Sequence, residues 1–378
     1  MAVTEHFSLT IVLLGLVLVS LPTGSTVLPE DRADVMYHGY DGGGVEVSGP
    51  SILLRKSVGD SVSISGNYYV DSISSASIDV VTSASPYTEE RKEKSLSVDY
   101  LRNKTLMSLA YTDSDESDYA ASTFSLGISQ DLFGDLTTVT LGYAVGNDEV
   151  RNNSDSSFSE SADRQNFRLG LTQILTKNSL LAVNWETITD QGYLNNPYRS
   201  VRYLDGDTYL TEPEVYPNTR TSNALALRLR YYLPYRAALG GEYRYFNDTW
   251  GITAHNAELG YTHPLRKDWI FELKYRYYTQ GAADFYSDLF AYEGEQNFRA
   301  RDKELSTFNS HTLGFALSYE IAKGGWRFVD RGSLNLSYDY IRFEYEDFRD
   351  LTSSTDVGEE PLYSFSASVW KAYLSIWY

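Results

Sequence analysis

The sequence predicts an all-β chain closed into a transmembrane antiparallel β-barrel of about 16 strands, with short periplasmic turns and long extracellular loops. Three observations predict it. Apolar and polar side chains alternate with period two in segment after segment from about Val45 onward. The links between those segments sort into tight and long ones. The chain stops on an aromatic alternating stretch, Trp370 to Tyr378.

Composition narrows the class first. The chain has 378 residues, 32 Tyr, 14% aromatic residues, no Cys and a formal net charge of -19. Its mean hydropathy is -0.35. A helical membrane bundle needs stretches of roughly 20 apolar residues, and only Leu9 to Leu21 comes near. That stretch is short and precedes Pro22-Thr23-Gly24-Ser25, so residues 1–25 read as a secretory signal peptide and 26–378 as the barrel domain. One feature departs from the pattern, because Met1 to Ser8 carries no Lys or Arg. Without Cys there is no disulfide framework, thiolate metal site, attached c-type haem or lipid-anchored N-terminus. The acidity argues against a nucleic-acid partner, which would call for clustered Lys and Arg. No residue pattern calls for a cofactor.

The strands follow in order. A short one over Val35 to Tyr40, turning at Asp41-Gly42-Gly43-Gly44, is followed by Val45 to Ser57. Alternation then recurs near 62–72, 92–101, 104–113, 121–130, 136–147, 163–175, 179–189, 219–232, 237–247, 253–263, 268–279, 311–321, 331–345 and 364–378. Successive side chains of a strand point to opposite faces. Trp269, Phe271, Leu273, Tyr275 and Tyr277 therefore share one face, against Ile270, Glu272, Lys274 and Arg276. Leu225, Leu227, Leu229 and Tyr231 likewise oppose Ala226, Arg228 and Arg230. If both termini lie at the short-turn rim, the strand number is even: sixteen with the N-terminal strand, fourteen if that region folds into the lumen.

Tight links fall at 102–104, 132–135, 176–179, 233–236, 264–267 and 322–325, and long ones at 148–162, 191–218, 281–304 and 346–361. A soluble sandwich has no reason to sort its loops in this way. At the C-terminus Trp370, Leu374, Ile376 and Tyr378 lie on one face. This resembles the terminal strand by which the barrel-assembly machinery recognises its clients, and it places the expected location in the outer membrane of a Gram-negative cell, amid lipid and lipopolysaccharide.

Several stretches stand out as long motifs: Glu30-Asp31-Arg32-Ala33-Asp34 with Met36-Tyr37-His38, Gly42-Gly43-Gly44-Val45-Glu46-Val47, Gly66-Asn67-Tyr68-Tyr69-Val70-Asp71 and Ser75 to Val81. Leu194-Asn195-Asn196-Pro197-Tyr198-Arg199, Tyr216-Pro217-Asn218-Thr219-Arg220 and Ala283-Asp284-Phe285-Tyr286-Ser287-Asp288 continue the set. Through these motifs the chain resembles the outer-membrane barrels known as domain-of-unknown-function family 3570. The resemblance implies a barrel without an established activity. It also implies the company of a small lipoprotein and periplasmic redox proteins, including a flavin transferase, as partners in an envelope redox system.

Arg228, Arg230, Glu242, Arg244, Glu272, Lys274 and Arg276 are the candidate lumen-lining residues. Charges of both signs can brace the wall or line an aqueous path. Tyr193, Tyr198, Tyr203, Tyr209 and Tyr216 sit in the longest loop and are the candidate loop-binding residues. Acidic stretches (Asp113, Asp115, Glu116 and Asp118; Asp148, Glu149, Asp155, Glu160 and Asp163) suit hard cations but match no defined loop, so no metal site is assigned. Of the histidines, only Ser310-His311 and His255 with Glu258 suggest catalysis, and no nucleophile motif surrounds them. The expectation is a non-enzymatic pore, or a sheath or scaffold for a trans-envelope complex. The alternatives are a structural component of a flavin-linked redox system and an outer-membrane hydrolase.

Overall fold

In lipid every backbone N–H and C=O needs a partner within the protein, so a β-sheet crosses a bilayer only if its two edges meet. The computed structural model describes residues 27–75, 87–321, 325, 328–353 and 355–378; residues 1–25, the expected signal peptide, lie outside the described residues. Its strands in chain order are β1 (Arg32–Gly42), β2 (Val45–Val58), β3 (Val62–Ser75), β4 (Tyr87–Arg102), β5 (Thr105–Asp115), β6 (Tyr119–Leu132), β7 (Thr137–Asn152), β8 (Asp155–Thr176) and β9 (Ser179–Gly192). They continue with β10 (Ser200–Asp205), β11 (Thr208–Pro213), β12 (Thr219–Tyr232), β13 (Ala238–Asp248), β14 (Thr253–Leu265) and β15 (Trp269–Gln280). The last three are β16 (Phe308–Ile321), β17 (Arg331–Arg349) and β18 (Leu362–Trp377).

Sixteen of these form one closed antiparallel barrel, and β10 and β11 pair apart from it as a two-stranded sheet. β9 pairs directly with β12, and β1 closes the wall on β18 from Arg32–Trp377 to Gly42–Ala367. The N-terminal strand is thus part of the wall, which gives the even number. The β1–β2 turn uses Gly43 and Gly44 at φ 61° and 81°. Both central residues of such a two-residue turn need positive φ, which glycine adopts without steric cost.

The face sorting follows the alternation. Leu225, Leu227, Leu229 and Tyr231 are exposed on the outer face, as are Tyr243, Tyr245, Leu273, Tyr275, Tyr277, Leu313 and Phe315. Polar side chains of the same strands point inward and reach over intervening strands on the concave side. Arg244 on β13 contacts Glu186 on β9 across β12 at 3.3 Å, and Lys274 on β15 contacts Asp339 on β17 across β16 at 2.8 Å. Gly314 makes the second contact possible, since a Cβ there would lie 2.2 Å from Asp339 Oδ1.

The long-loop rim differs from the sequence reading in two places. Residues 148–162 are not a long loop: β7 runs to Asn152 and β8 starts at Asp155. The ladder continues above the membrane, where both faces are polar, so the apolar alternation fades although the hydrogen bonds persist. Within 191–218 the hairpin β10–β11 turns at Gly206-Asp207, after the Asp205-Gly206 pair that signals a tight hairpin. The stretch 281–304 stays irregular, with one 3-10 turn at Lys303–Leu305.

Leu227→Arg puts a charge on the lipid face of β12 and is expected to lose roughly 2–4 kcal/mol. Ala226→Ser, on the lumen face, is expected to change stability by less than about 0.5 kcal/mol. Urea unfolding in lipid bilayers measures both; equal losses contradict the face assignment.

Candidate functional site

The lumen wall is the first part of the site. Arg228 and Glu242 face each other in register on β12 and β13, with Nε donating to Oε2 at 2.7 Å. Arg244 donates to Glu186 Oε2 at 3.3 Å, and Glu186 also accepts from Arg168 Nε at 2.8 Å and Asn166 Nδ2 at 3.0 Å. Lys274 holds Asp339. Arg276 Nη2 reaches only Thr312 Oγ1, at 3.3 Å. Arg230 and Glu272, nearer the short-turn rim, are exposed and have no ion-pair partner among the described residues. The structure adds Arg164–Asp190 and Arg220–Asp248, both at 2.6 Å, which the sequence reading missed. Their period-two placement on polar faces was the available signal.

The second part is a cap made by the three long links together with the short β13–β14 link, 249–252. Leu194, Tyr216, Trp250, Ile252, Ala283, Phe285, Ala300 and Leu305 form its apolar core. Above that core Arg202 on β10 is 1% exposed and joins two other loops. Its Nη1 donates to Glu360 Oε1 and its Nη2 to Asp288 Oδ2, both at 2.5 Å, while Nε donates to the Asp288 carbonyl at 2.9 Å. Arg301 holds the other oxygen of Asp288 at 2.9 Å and lies over the Phe348 ring. Arg199 pairs with Asp302 at 2.8 Å. The loop stretches that carry the family resemblance therefore converge in the cap, through Leu194, Arg199, Tyr216, Phe285 and Asp288.

The five loop tyrosines do not form one surface. Tyr216 is buried and donates to Glu214 Oε2 at 2.6 Å. Tyr198 accepts from the Asn153 N–H at 2.7 Å. Tyr193 meets Phe158 edge-on, Tyr203 forms a backbone bridge to Phe290, and Tyr209 lies beside the Arg202 guanidinium. Burial pushes the Glu214 carboxyl up to about 7, and Asp302 pushes the same way while Arg199 opposes it. Burial also holds the Tyr216 phenol well above its ordinary range.

Glu89, Glu116 and Asp118 place carboxylate oxygens within 4.8 Å of one another at the long-loop rim. They are the described residues whose arrangement suits a hard cation. Arg91 Nε lies 3.9 Å from Glu116, and Ser117 occupies Glu89 through its N–H at 2.8 Å. Asp115 faces Arg151 instead, and Asp148 and Asp163 sit on strands bonded to Tyr119 and Asn147.

Both suggested catalytic pairs are divided by the wall. His255 points outward and shares a hydrogen bond with Tyr243 OH at 2.7 Å, whereas Glu258, an odd number of residues away, faces the lumen. His311 points outward to Tyr275 OH at 2.7 Å, and Ser310 inward. A third histidine is enclosed in the wall: His38 Nε2 lies 2.7 Å from Asp71 Oδ1 and 2.8 Å from Tyr69 OH. Gly49, the register neighbour of His38 on β2, carries no side chain to separate them.

A family model described as protein of unknown function (DUF3570) matches residues 78–331. The chain belongs to the DUF3570 family. No curated protein matches it. Among solved structures, this DUF3570 barrel is similar to a bacterial polysaccharide outer membrane secretin at 7% identity and TM-score 0.50, covering 93% of this chain and 100% of that one. It is also similar to the siderophore receptor PirA of Pseudomonas aeruginosa, at 9% identity and TM-score 0.44 over 92% of this chain and 63% of that one. The trimer form of OmpT of Vibrio cholerae gives 10% identity and TM-score 0.45 over 91% and 98%. At such identities the likeness concerns the fold alone, the barrel of outer-membrane proteins.

Two predictions concern the cap. Arg202→Leu leaves Glu360 enclosed without its cation and Asp288 with Arg301 alone, a loss of about 3–5 kcal/mol. Amide exchange in 193–218 and 350–361 is expected to accelerate while exchange in the barrel strands stays unchanged. The second follows from Glu214. Below its ordinary value of 4.5 the carboxyl is protonated whether the cap is closed or open; between there and about 7 only the open form ionises freely. The closed cap is therefore expected to lose stability as pH rises through that window. Exchange of the Arg301 N–H, which donates to Glu214 at 2.7 Å, measures it after correction for intrinsic rates. Glu214→Gln is expected to flatten the dependence.

Proposed function

We propose that this DUF3570 barrel is an outer-membrane pore for small solutes, with its extracellular mouth narrowed by the latched cap. The supporting observation is the combination of a closed sixteen-strand wall with inward-facing charges of both signs, Arg228, Glu242, Glu186, Arg244, Lys274 and Asp339 among them. Barrels of about sixteen strands are wide enough for an aqueous channel unless loops fill them. Paired charges keep the wall wet without a strong field of one sign, which favours permeation of solutes of either charge. Above the wall, the Arg202–Asp288–Glu360 cluster joins the β9–β12, β15–β16 and β17–β18 links and sets how far they open.

Planar-bilayer recording tests this reading. Wild-type protein is expected to give discrete conductance steps, and Arg202→Leu larger or longer-lived ones because the cap loosens. Bilayers that stay sealed with both proteins at all voltages would overturn the pore reading.

A further inference from the structure

The lumen wall changes chemistry around its circumference. One register row runs Arg228, Glu242, Glu258, Arg276, Thr312, Ile341 and Ala367 from β12 to β18. The next runs Arg244, Asn256, Tyr278, Ser310, Phe343 and Phe365. Register-paired residues share a face, so along these two rows charged side chains give way to apolar and aromatic ones at β15 and β16.

At that boundary one cation stands apart. Arg164, Arg168, Arg220 and Arg228 each hold a carboxylate. Arg276 has no carboxylate within ion-pair distance among the described residues; its Nε is enclosed with no hydrogen-bond partner, and its register neighbour Glu258 makes no ion pair with it. Two residues on, the Tyr278 phenol lies within electrostatic reach of Arg220, Arg244 and Arg276. Its ring is 5.6 Å from Phe308, which continues to Phe343, and Phe343 stacks on Phe365 at 4.6 Å and 15°. A guanidinium without an ion-pair carboxylate, beside an aromatic strip whose Phe343 and Phe365 rings stack, is complementary to one kind of solute, a planar ring bearing an acid. The ring stacks offset on the strip and the carboxylate takes the guanidinium fork.

We infer that Arg276, Arg244 and Tyr278, together with the Phe308–Phe343–Phe365 strip, form a lumen subsite for small aromatic carboxylates. The inference rests on the pore reading for the route by which the solute arrives. Calorimetric titration of the folded full chain in lipid nanodiscs with sodium benzoate tests it, with acetate lacking the ring and benzamide lacking the charge. Benzoate is expected to bind saturably and at least about tenfold more tightly than either control, since benzamide loses the charge-assisted hydrogen bonds and acetate loses the ring stacking and apolar burial. Arg276→Gln and Phe343→Leu are each expected to weaken benzoate binding, and Glu258→Gln, which removes a neighbouring negative charge, to strengthen it. The last variant keeps the test decisive if Arg276→Gln fails to fold. Equal binding of benzoate and acetate, or a wild-type affinity in both Arg276→Gln and Glu258→Gln, would overturn the subsite. Benzoate binding without conductance would remove the pore reading and leave the subsite standing; conductance without benzoate binding would do the reverse.

Discussion

The absence of water from the hydrocarbon core is the constraint on which the rest of this structure depends. A peptide group there has no partner outside the protein, so the first strand must find the last, and β1 pairs with β18 along its whole length. Closure then determines the other features. Each strand has one face toward lipid and one toward a shared interior, and the interior side chains are crowded together by curvature. That crowding lets ion pairs and hydrogen bonds skip a strand, as Lys274–Asp339 does over Gly314 and His38–Asp71 over Gly49. A Cβ at Gly314 would lie 2.2 Å from Asp339 Oδ1, and one at Gly49 would strike the Val70 carbonyl of β3 at 1.7 Å.

The same logic explains why the cap can be rigid without being part of the barrel. Loops above the membrane can turn to water for their backbone groups, so nothing in the closure requires them to be ordered. Here they carry their own apolar core around Tyr216, Trp250 and Phe285, and a buried Arg202 that two carboxylates from other loops compensate. A buried ion pair is a weak source of net stability, because desolvation offsets most of the attraction. What it adds here is a geometric tie: Arg202 on one loop faces a carboxylate from each of the other two. The pore we propose would combine a wall carrying both charge signs with a mouth held by the cap.

Most of the wall was legible in the sequence because its signal is local. A strand in lipid needs alternation over some ten residues, and Trp269 to Tyr277 or Leu225 to Tyr231 shows it without help from distant residues. Strand ends were less legible. Once β7 and β8 leave the membrane both faces are polar, so the ladder through Asp148, Glu149 and Glu160 looks like a loop. The Gly206-Asp207 turn did carry a hairpin signal, hidden within a long link between barrel strands. The cap latch was not legible at all, since Arg202 meets Asp288 and Glu360 from 86 and 158 residues away. The lumen arginines were placed on the right face, but only the structure shows that Arg228 pairs with the carboxylate opposite it, Glu242, and that Arg276 makes no ion pair with the one opposite it, Glu258. The proposed histidine pairs failed for the simplest reason, as neighbours an odd number of residues apart on a strand face opposite sides of the wall.

The natural chain contains no cysteine, so single cysteines can report which side of the wall each position occupies. The most direct test is a scan along β12 from 223 to 230 in lipid vesicles, comparing reaction with a water-soluble maleimide against fluorescence quenching by brominated lipid. Positions 224, 226 and 228 should react from water, and 225, 227 and 229 should be quenched from lipid. A period near 3.6, or the same response at odd and even positions, would contradict the barrel.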